Sequence, residues 1–181
     1  MTGCALFDTA IGRVGVAWNE AGLTRVAFPE AGDAATLARL ERGGAVLADP
    51  PAPVRAAMDA IAGLLASGRG DLSAIALDLG GALEPGILDA ARAIPAGETV
   101  TYGELAARLG RTGEARAVGA AMAANPCPIV VPCHRVLASG GGFGGFSAPG
   151  GLAFKIRLLN IERAGAGEGL FDHLPFAAKP K

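Results

Sequence analysis

The residue types best suited to chemistry lie in one segment, 125–136, where Cys133, His134 and Arg135 follow one another directly after a proline. The β-branched apolar run before them has prolines at both ends, and this pattern predicts a rigid turn. A free thiol ionises near about pH 8.5, and neighbouring imidazole and guanidinium groups favour the thiolate. Cys133 is therefore a candidate nucleophile, with His134 as a base that acts directly or through a water.

Other interpretations of the same residues stay open at this stage. A cysteine next to a histidine is more often an ordinary buried pair, and zinc sites use the same residue types. Zinc is the weaker alternative because the chain has only two histidines and no Cys-x-x-Cys pair, so we expect no metal site. Three cysteines without an export signal predict free thiols in a cytoplasmic protein, and no apolar run is long enough for a membrane span.

The elements that must position this segment begin with short β-like runs. Three such runs, 4–8, 13–18 and 23–28, predict an antiparallel meander. Helical periodicity predicts helices at 34–41 and 53–66, and the apolar run 72–79 predicts one more strand. Glycines at 80 and 81 suggest a domain boundary there.

The second half of the chain has the pattern of a helix-turn-helix. A predicted helix at 83–93 precedes Thr101 and Glu104, whose spacing is that of a capping box. The short helix that follows should end at Gly110, and a second helix should span 114–124. In a helix-turn-helix the second helix usually contacts DNA.

This second helix consists largely of alanine and glycine, so it can approach a partner closely. The partner is either the protein core, the commoner use of such helices, or the narrow minor groove of DNA. Charge supports a nucleic-acid partner, because Val100–Gly165 carries seven basic against three acidic residues, although the whole chain has a net charge of -1. Random scatter of surface charge is the alternative explanation.

The segment Pro132-Cys133-His134-Arg135-Val136 resembles the active-site signature of the O6-alkylguanine-DNA alkyltransferases, also called methylated-DNA–protein-cysteine methyltransferases. Further segments match this family in order and at similar spacing, and the resemblance extends from about Leu83 to Glu162. These segments are 94–106, 115–119, 125–126, 150–152 with Lys155, and 158–162 with Glu162.

The resemblance implies an α/β N-terminal domain, with a small antiparallel sheet and helices in a ribonuclease-H-like arrangement. A mostly α C-terminal domain of the helix-turn-helix, winged-helix-like type would follow it. The corresponding ranges are 1–80 for the supporting domain, 81–165 for the DNA-binding and alkyl-acceptor domain, and 166–181 for a C-terminal tail.

The resemblance also assigns roles to individual residues. Cys133 corresponds to the alkyl acceptor, His134 to the base that acts through water, and Glu162 to the carboxylate that orients His134. The DNA-binding residues would be Tyr102, which also helps to rotate the target nucleotide, Arg116, which fills the gap in the base stack, Asn125, a hinge, and Arg135. Tyr102, Val136 and Ser147 would line the pocket for the base. Without the resemblance, Glu162 and Arg116 would be read as solvated charges, Tyr102 as a capping-region aromatic and Asn125 as a helix cap.

The function implied is direct repair of double-stranded DNA. An alkyl group moves irreversibly, once per protein molecule, from O6-alkylguanine to Cys133, with O4-alkylthymine as a second candidate substrate. We expect minor-groove binding and nucleotide flipping, a monomeric protein, and no cofactor, metal or membrane partner. The alternatives are a non-catalytic protein that recognises alkyl lesions and a cysteine hydrolase.

Overall fold

The computed structural model describes residues 2–80 and 84–166, and in this part the chain is a mixed α/β protein. The predicted tail, 166–181, lies outside the described residues apart from its first residue. No described helix is long and apolar enough to cross a membrane. The strands are β1 Gly3–Phe7, β2 Val14–Asn19, β3 Gly22–Ala27, β4 Val46–Leu47, β5 Val100–Thr101 and β6 Val136–Leu137. The α-helices are α1 Asp33–Glu41, α2 Ala52–Ser67, α3 Pro85–Arg92, α4 Tyr102–Arg108, α5 Ala115–Ala124 and α6 Gly151–Ala166.

The first three strands form the predicted antiparallel meander. They lie in a four-stranded sheet of order β3-β2-β1-β4, in which Ala5 is opposite Val16 and the short β4 is parallel to β1. Alternate residues of β2 face opposite sides. Val16 packs with Ile61 of α2, whereas Ala17 packs with Leu40 of α1, so a helix covers each face of the sheet.

The prediction of a strand at 72–79 was wrong. Within this run only Leu77 forms a β-bridge to the sheet, opposite Leu23: the Leu23 amide donates to the Ala76 carbonyl, and the Asp78 amide donates to the Leu23 carbonyl. The guanidinium of Arg92 accounts for the difference, because it donates to the carbonyls of Leu72 and Ile75 at 3.2 and 2.8 Å. Carbonyls that would have joined a strand ladder instead bind this side chain of α3.

In the second half, local sequence signals fix the ends of the helices. Thr101 Oγ1 accepts from the Glu104 amide at 3.1 Å, and the Glu104 carboxylate accepts from the Thr101 amide at 2.6 Å, which confirms the capping box. Gly110 ends this helix with a positive φ of 71°. Helix α4 then packs on α5, as expected for a helix-turn-helix pair.

Two pairings in this half bring distant segments together. Strand β5 pairs in parallel with β6, Val100 opposite Val136, so the residue after β5, Tyr102, lies beside the turn that precedes β6. Helix α6 packs against both α2 and the same turn. The turn is a 3-10 helix, Cys133–Arg135, so three segments distant in sequence converge on Cys133.

Candidate active site

The backbone segment that leads to Cys133 contains two special features, a pair of side-chain hydrogen bonds and one residue with an unusual φ. The Asn125 amide donates to the Val131 carbonyl at 2.8 Å, and its oxygen accepts from the Cys127 amide at 3.0 Å. Ile129, a buried residue between Cys127 and Val131 in the sequence, has a positive φ of 75°, which is rare for a β-branched residue. Asn125 thus connects the end of α5 to the turn that carries Cys133, as a hinge residue would.

The environment of Cys133 is nearly closed to solvent. Burial raises the pKa of its thiol, while a hydrogen bond involving Asn125 and the charge of Lys155 act in the opposite direction. Because burial is the largest effect, the resting group is a thiol and its ionisation needs a base. Cys127 is also a free, buried cysteine, and burial raises its pKa to about 12.

A base stands next to this thiol in sequence and belongs to a buried polar network. His134 Nε2 lies 2.8 Å from Glu162 Oε1, and both residues are almost completely buried. Burial lowers the pKa of His134, so the imidazole is neutral at pH 7. With Nε2–H donating to the carboxylate, Nδ1 is the unprotonated atom, and it has no hydrogen-bond partner among the described residues.

Arg135 completes this network from inside the protein. Its Nε and a terminal nitrogen donate to the two oxygens of Glu162 at 2.9 and 2.7 Å, and it also donates to the Ile94 carbonyl. Burial alone would raise the pKa of Glu162, but His134 and Arg135 outweigh it and hold this pKa at about 2. Arg135 is only 6% exposed. Its expected role in DNA binding is therefore corrected: the guanidinium neutralises Glu162, because a buried carboxylate needs a paired charge.

A cavity of about 510 Å³ opens beside the Cys133 sulfur. Tyr102, half-buried at the start of α4, forms one wall, and its phenol stays protonated because burial and then the charge of Cys133 raise its pKa. The exposed Ser147 lies at another wall. The remaining walls come from Gly119, Met122 and Ala123 of α5 and from Gly145 and Phe146. The predicted pocket residues Tyr102 and Ser147 thus share one cavity with Cys133.

Helix α5 divides its small residues between two faces. Val118, Ala121 and Met122 are buried, whereas Arg116, with Ala120, Ala123 and Ala124, is exposed. Arg116 lies in the first turn and makes no hydrogen bond or ion pair with the described part of the chain. Core packing, one of the two predicted uses of this helix, is therefore confirmed for its buried face, and the approach of its exposed face to a partner stays a prediction.

One further residue of this site, for which no role was predicted, is a lysine. Lys155 of α6 is completely buried, and its ammonium donates to the carbonyls of Val136 and Phe143 at 2.7 and 2.6 Å. The carbonyl of Val136, one of the residues predicted to line the pocket for the guanine base, thus already accepts one hydrogen bond and keeps a second lone pair. Lys155 is the one lysine of the chain before residue 179, all other basic residues in that range being arginine, and this signal could have indicated a special environment.

Comparison with known proteins gives a consistent result. The model of the 6-O-methylguanine DNA methyltransferase DNA-binding domain matches residues 83–164. A methylated-DNA–protein-cysteine methyltransferase of Methanothermobacter thermautotrophicus is 35% identical over 151 residues, which are 82% of this chain and 78% of that protein. The Salmonella typhimurium protein of the same name is 54% identical over 76 residues, 42% of this chain and 43% of its own length.

Solved structures agree with the sequence comparison. The R37L variant of the Mycobacterium tuberculosis O6-methylguanine methyltransferase superposes with a TM-score of 0.72 at 31% identity, covering 94% of this chain and 98% of that one. The M. tuberculosis protein OGT in complex with DNA gives a TM-score of 0.67 at 31% identity, with 88% and 91% of the two chains covered. The similarity therefore includes both halves of the chain.

Proposed function

This chain belongs to the family of the methylated-DNA–protein-cysteine methyltransferases, and from that membership we propose that it repairs DNA by moving an alkyl group from O6 of guanine to its own Cys133. One observation carries the proposal: Cys133 lines a cavity, and the next residue, His134, is bound to Glu162 in the interior of the protein. Such an arrangement supplies a nucleophile, a base and a group that orients the base.

Activation of the sulfur follows from the protonation states of the network. The Glu162 carboxylate accepts from Nε2–H of His134 and so leaves Nδ1 with a free lone pair. Nδ1 takes the thiol proton from Cys133, directly or through a water. The imidazolium formed is stabilised by Glu162, and Arg135 keeps that carboxylate in place.

The transfer itself is a displacement at the alkyl carbon. The Cys133 thiolate forms the S–C bond, the C–O6 bond breaks, and its electron pair stays on the guanine. A proton donor at the cavity wall, the Tyr102 phenol, stabilises the charge that develops on the base. A thioether has no easy reverse reaction, so each protein molecule acts once. The displacement requires no cofactor, because the protein itself is the acceptor.

DNA is the partner of this domain, and its target atom is hidden in the base stack. We infer that the exposed small-sided face of α5 enters the minor groove and that the damaged nucleotide turns out into the cavity, at an unstacking cost of a few kcal/mol. Arg116, exposed and without a partner in the described part of the chain, fills the gap. Ser147 and the Val136 carbonyl bind the extruded base, and O4-alkylthymine is a second substrate.

We propose that the sheet with α1 and α2 is a ribonuclease-H-like supporting domain and that the second half is winged-helix-like. The free thiol acceptor suits the reducing cytoplasm, where we expect the protein to act as a monomer.

Intact-protein mass spectrometry tests the function most directly. The protein is incubated with duplex DNA that contains a single O6-methylguanine. We expect one added methyl group per molecule, found only in the peptide with Cys133, and none in Cys133→Ala, which should still bind the DNA. The control is undamaged duplex of the same sequence.

Other results would identify the alternatives. DNA binding without any mass change would indicate a protein that only recognises the lesion. Many turnovers per molecule on a small substrate, without DNA affinity, would indicate a cysteine hydrolase. Label on Cys4 or Cys127 in place of Cys133 would refute the assignment of the acceptor.

A further inference from the structure

One arginine of the helix-turn-helix, Arg111, has its backbone fixed by α4 and its side chain bound at the starts of two other helices. Gly110 ends α4, and its amide donates to the Ala107 carbonyl at 2.9 Å. The Arg111 amide donates to the Ala106 carbonyl, also at 2.9 Å. These two bonds form a Schellman motif, which holds the residue after the glycine against the last turn of the helix. The side chain of Arg111 therefore starts from a fixed position on α4.

The guanidinium of Arg111 binds two carboxylates. One terminal nitrogen forms an ion pair with Glu84, the residue directly before α3. Its Nε and its other terminal nitrogen lie 2.8 and 2.6 Å from one oxygen of Glu114, the residue directly before α5. A single side chain that is anchored on α4 thus connects the starts of α3 and α5.

This connection matters for α5 because Glu114 does not cap that helix with its side chain. The preceding helix has a capping box, whereas the Glu114 carboxylate accepts no hydrogen bond from the first turn of α5 within the described part of the chain. Its carbonyl accepts from the amides of Ala117 and Val118 at 3.0 and 3.2 Å. Gly113, with a φ of 92°, gives the preceding turn little stiffness of its own. The bond from Glu114 to Arg111 therefore supplies the fixed point that a cap would otherwise give.

The first turn of α5 carries Arg116, two residues after Glu114. A small change in the direction of a helix moves the end of a long side chain much further. A guanidinium that must enter the space of an extruded nucleotide therefore needs a first turn of fixed orientation. Two carboxylates at this end of α5 would also repel the phosphates of DNA, and Arg111 offsets one of their charges.

We propose that Arg111, bound by Glu84 and Glu114, is a positioning residue for Arg116. It fixes the first turn of α5 in the orientation from which Arg116 enters the base stack. Arg111 acts through α5 and not by contact with the damaged base or with Cys133. The inference rests on the proposed function, because it requires that α5 approaches DNA and that the nucleotide is extruded.

A role in orientation suits these ion pairs better than a role in stability. The side chains of Glu84, Arg111 and Glu114 are 56, 33 and 48% exposed, and exposed ion pairs contribute little to the stability of a fold. Orientation and charge also predict opposite effects of Glu84→Gln. Loss of a negative charge favours DNA binding, whereas loss of the bond to Arg111 frees the start of α5. This variant therefore separates the two effects.

The test measures DNA affinity and reaction rate separately in the wild type and in Glu84→Gln. Affinity is measured with undamaged duplex, and single-turnover rates are measured with saturating protein on O6-methylguanine duplex and with free O6-benzylguanine. We expect Glu84→Gln to bind duplex at least as tightly as the wild type. Its rate on duplex should be roughly two- to five-fold lower, which is the size of effect expected for an exposed ion pair. Its rate with the free base should be unchanged, because a free base needs no extrusion.

Two further variants complete this experiment. Arg111→Gln removes both ion pairs, so it should slow the reaction on duplex more than Glu84→Gln does and again leave the free base unaffected. Glu98→Gln makes the same change of charge at an exposed position in the same half and should leave both rates unchanged. If Glu84→Gln reacts with duplex as fast as the wild type or faster, the proposal is overturned. Equal slowing with both substrates would also overturn it, because Arg111 would then support the fold as a whole.

Hydrogen exchange measures the orientation of α5 without DNA. The amides of Ala117 and Val118, which bind the Glu114 carbonyl, should exchange faster in Glu84→Gln than in the wild type, while the amides of α4 should not change. Equal exchange at Ala117 and Val118 in both proteins would contradict the proposed role of Arg111. Failure of the wild type to transfer a methyl group from duplex would instead contradict the proposed function, since hydrogen exchange does not depend on that reaction.

Discussion

Glu162→Gln tests the buried network at its centre. The carboxylate accepts four hydrogen bonds, one from His134 at 2.8 Å, two from Arg135 at 2.9 and 2.7 Å, and a longer one from the Gly97 amide at 3.4 Å. A glutamine of the same shape has only one accepting oxygen, and its amide nitrogen would face a donor. Arg135 would then be a buried cation without its counter-ion, and His134 would lose the acceptor that fixes its tautomer.

The expected loss of stability can be estimated in two ways. Removing one partner of a buried ion pair costs about 3–5 kcal/mol. Independently, the pKa of Glu162 is lowered from 4.5 to about 2 in the folded protein, and this difference corresponds to about 3 kcal/mol of stability at pH 7. Because the folded pKa is the lower one, this stability is complete above about pH 4.5 and is lost as the pH falls toward 2. We therefore expect the variant to be about 3 kcal/mol less stable at neutral pH, and the difference to shrink below pH 4.5.

Urea unfolding of both proteins at a series of pH values between 7 and 2.5 measures this difference. Glu98→Gln is the matched control, because Glu98 is exposed and should give no difference at any pH. Transfer from methylated duplex and from free O6-benzylguanine should both slow, by roughly a hundred-fold, since a misoriented His134 fails with either substrate. A loss below about 1 kcal/mol, or one that stays constant down to pH 2.5, would refute the assigned charge state of Glu162.

Three further outcomes follow from individual side chains. Arg116→Ala should slow repair of duplex DNA at least about ten-fold and lower the salt dependence of binding, but should not change the reaction with free O6-benzylguanine; equal impairment of both would remove its role in the base stack. Gly144→Ala would bring a methyl group 2.8 Å from a ring carbon of Tyr102 at a φ of 73°, so both substrates should react more slowly, whereas Gly63→Ala, on the exposed side of α2 with open space around it, should react normally; single-turnover rates distinguish them. Cys127→Ala should transfer methyl groups at a rate close to that of the wild type, because burial raises the pKa of Cys127 to about 12 and keeps it a thiol; a large loss of transfer would show that this cysteine takes part.

Features that depend on neighbours in sequence could be predicted from the sequence alone. The meander of β1 to β3, the capping box of Thr101 and Glu104, and the end of α4 at Gly110 follow from local hydrogen bonding and backbone preference. The nucleophile and its base are adjacent residues in a proline-bounded segment, so the chemistry of Cys133 could also be inferred locally. Glu162 entered the site only through the family resemblance, because nothing in its own surroundings in the sequence distinguishes it from a solvated charge.

The tertiary structure decided where charges find their partners. Arg135 has the sequence context of a DNA contact, but a carboxylate 27 residues away on α6 draws it into the interior. The run 72–79 has the pattern of a strand, yet Arg92 binds its carbonyls from another element. Lys155 is buried because the carbonyls of Val136 and Phe143 converge on it. In each case the position of a charged side chain depends on groups that folding brings close to it, and the local sequence around that side chain does not specify which groups these are.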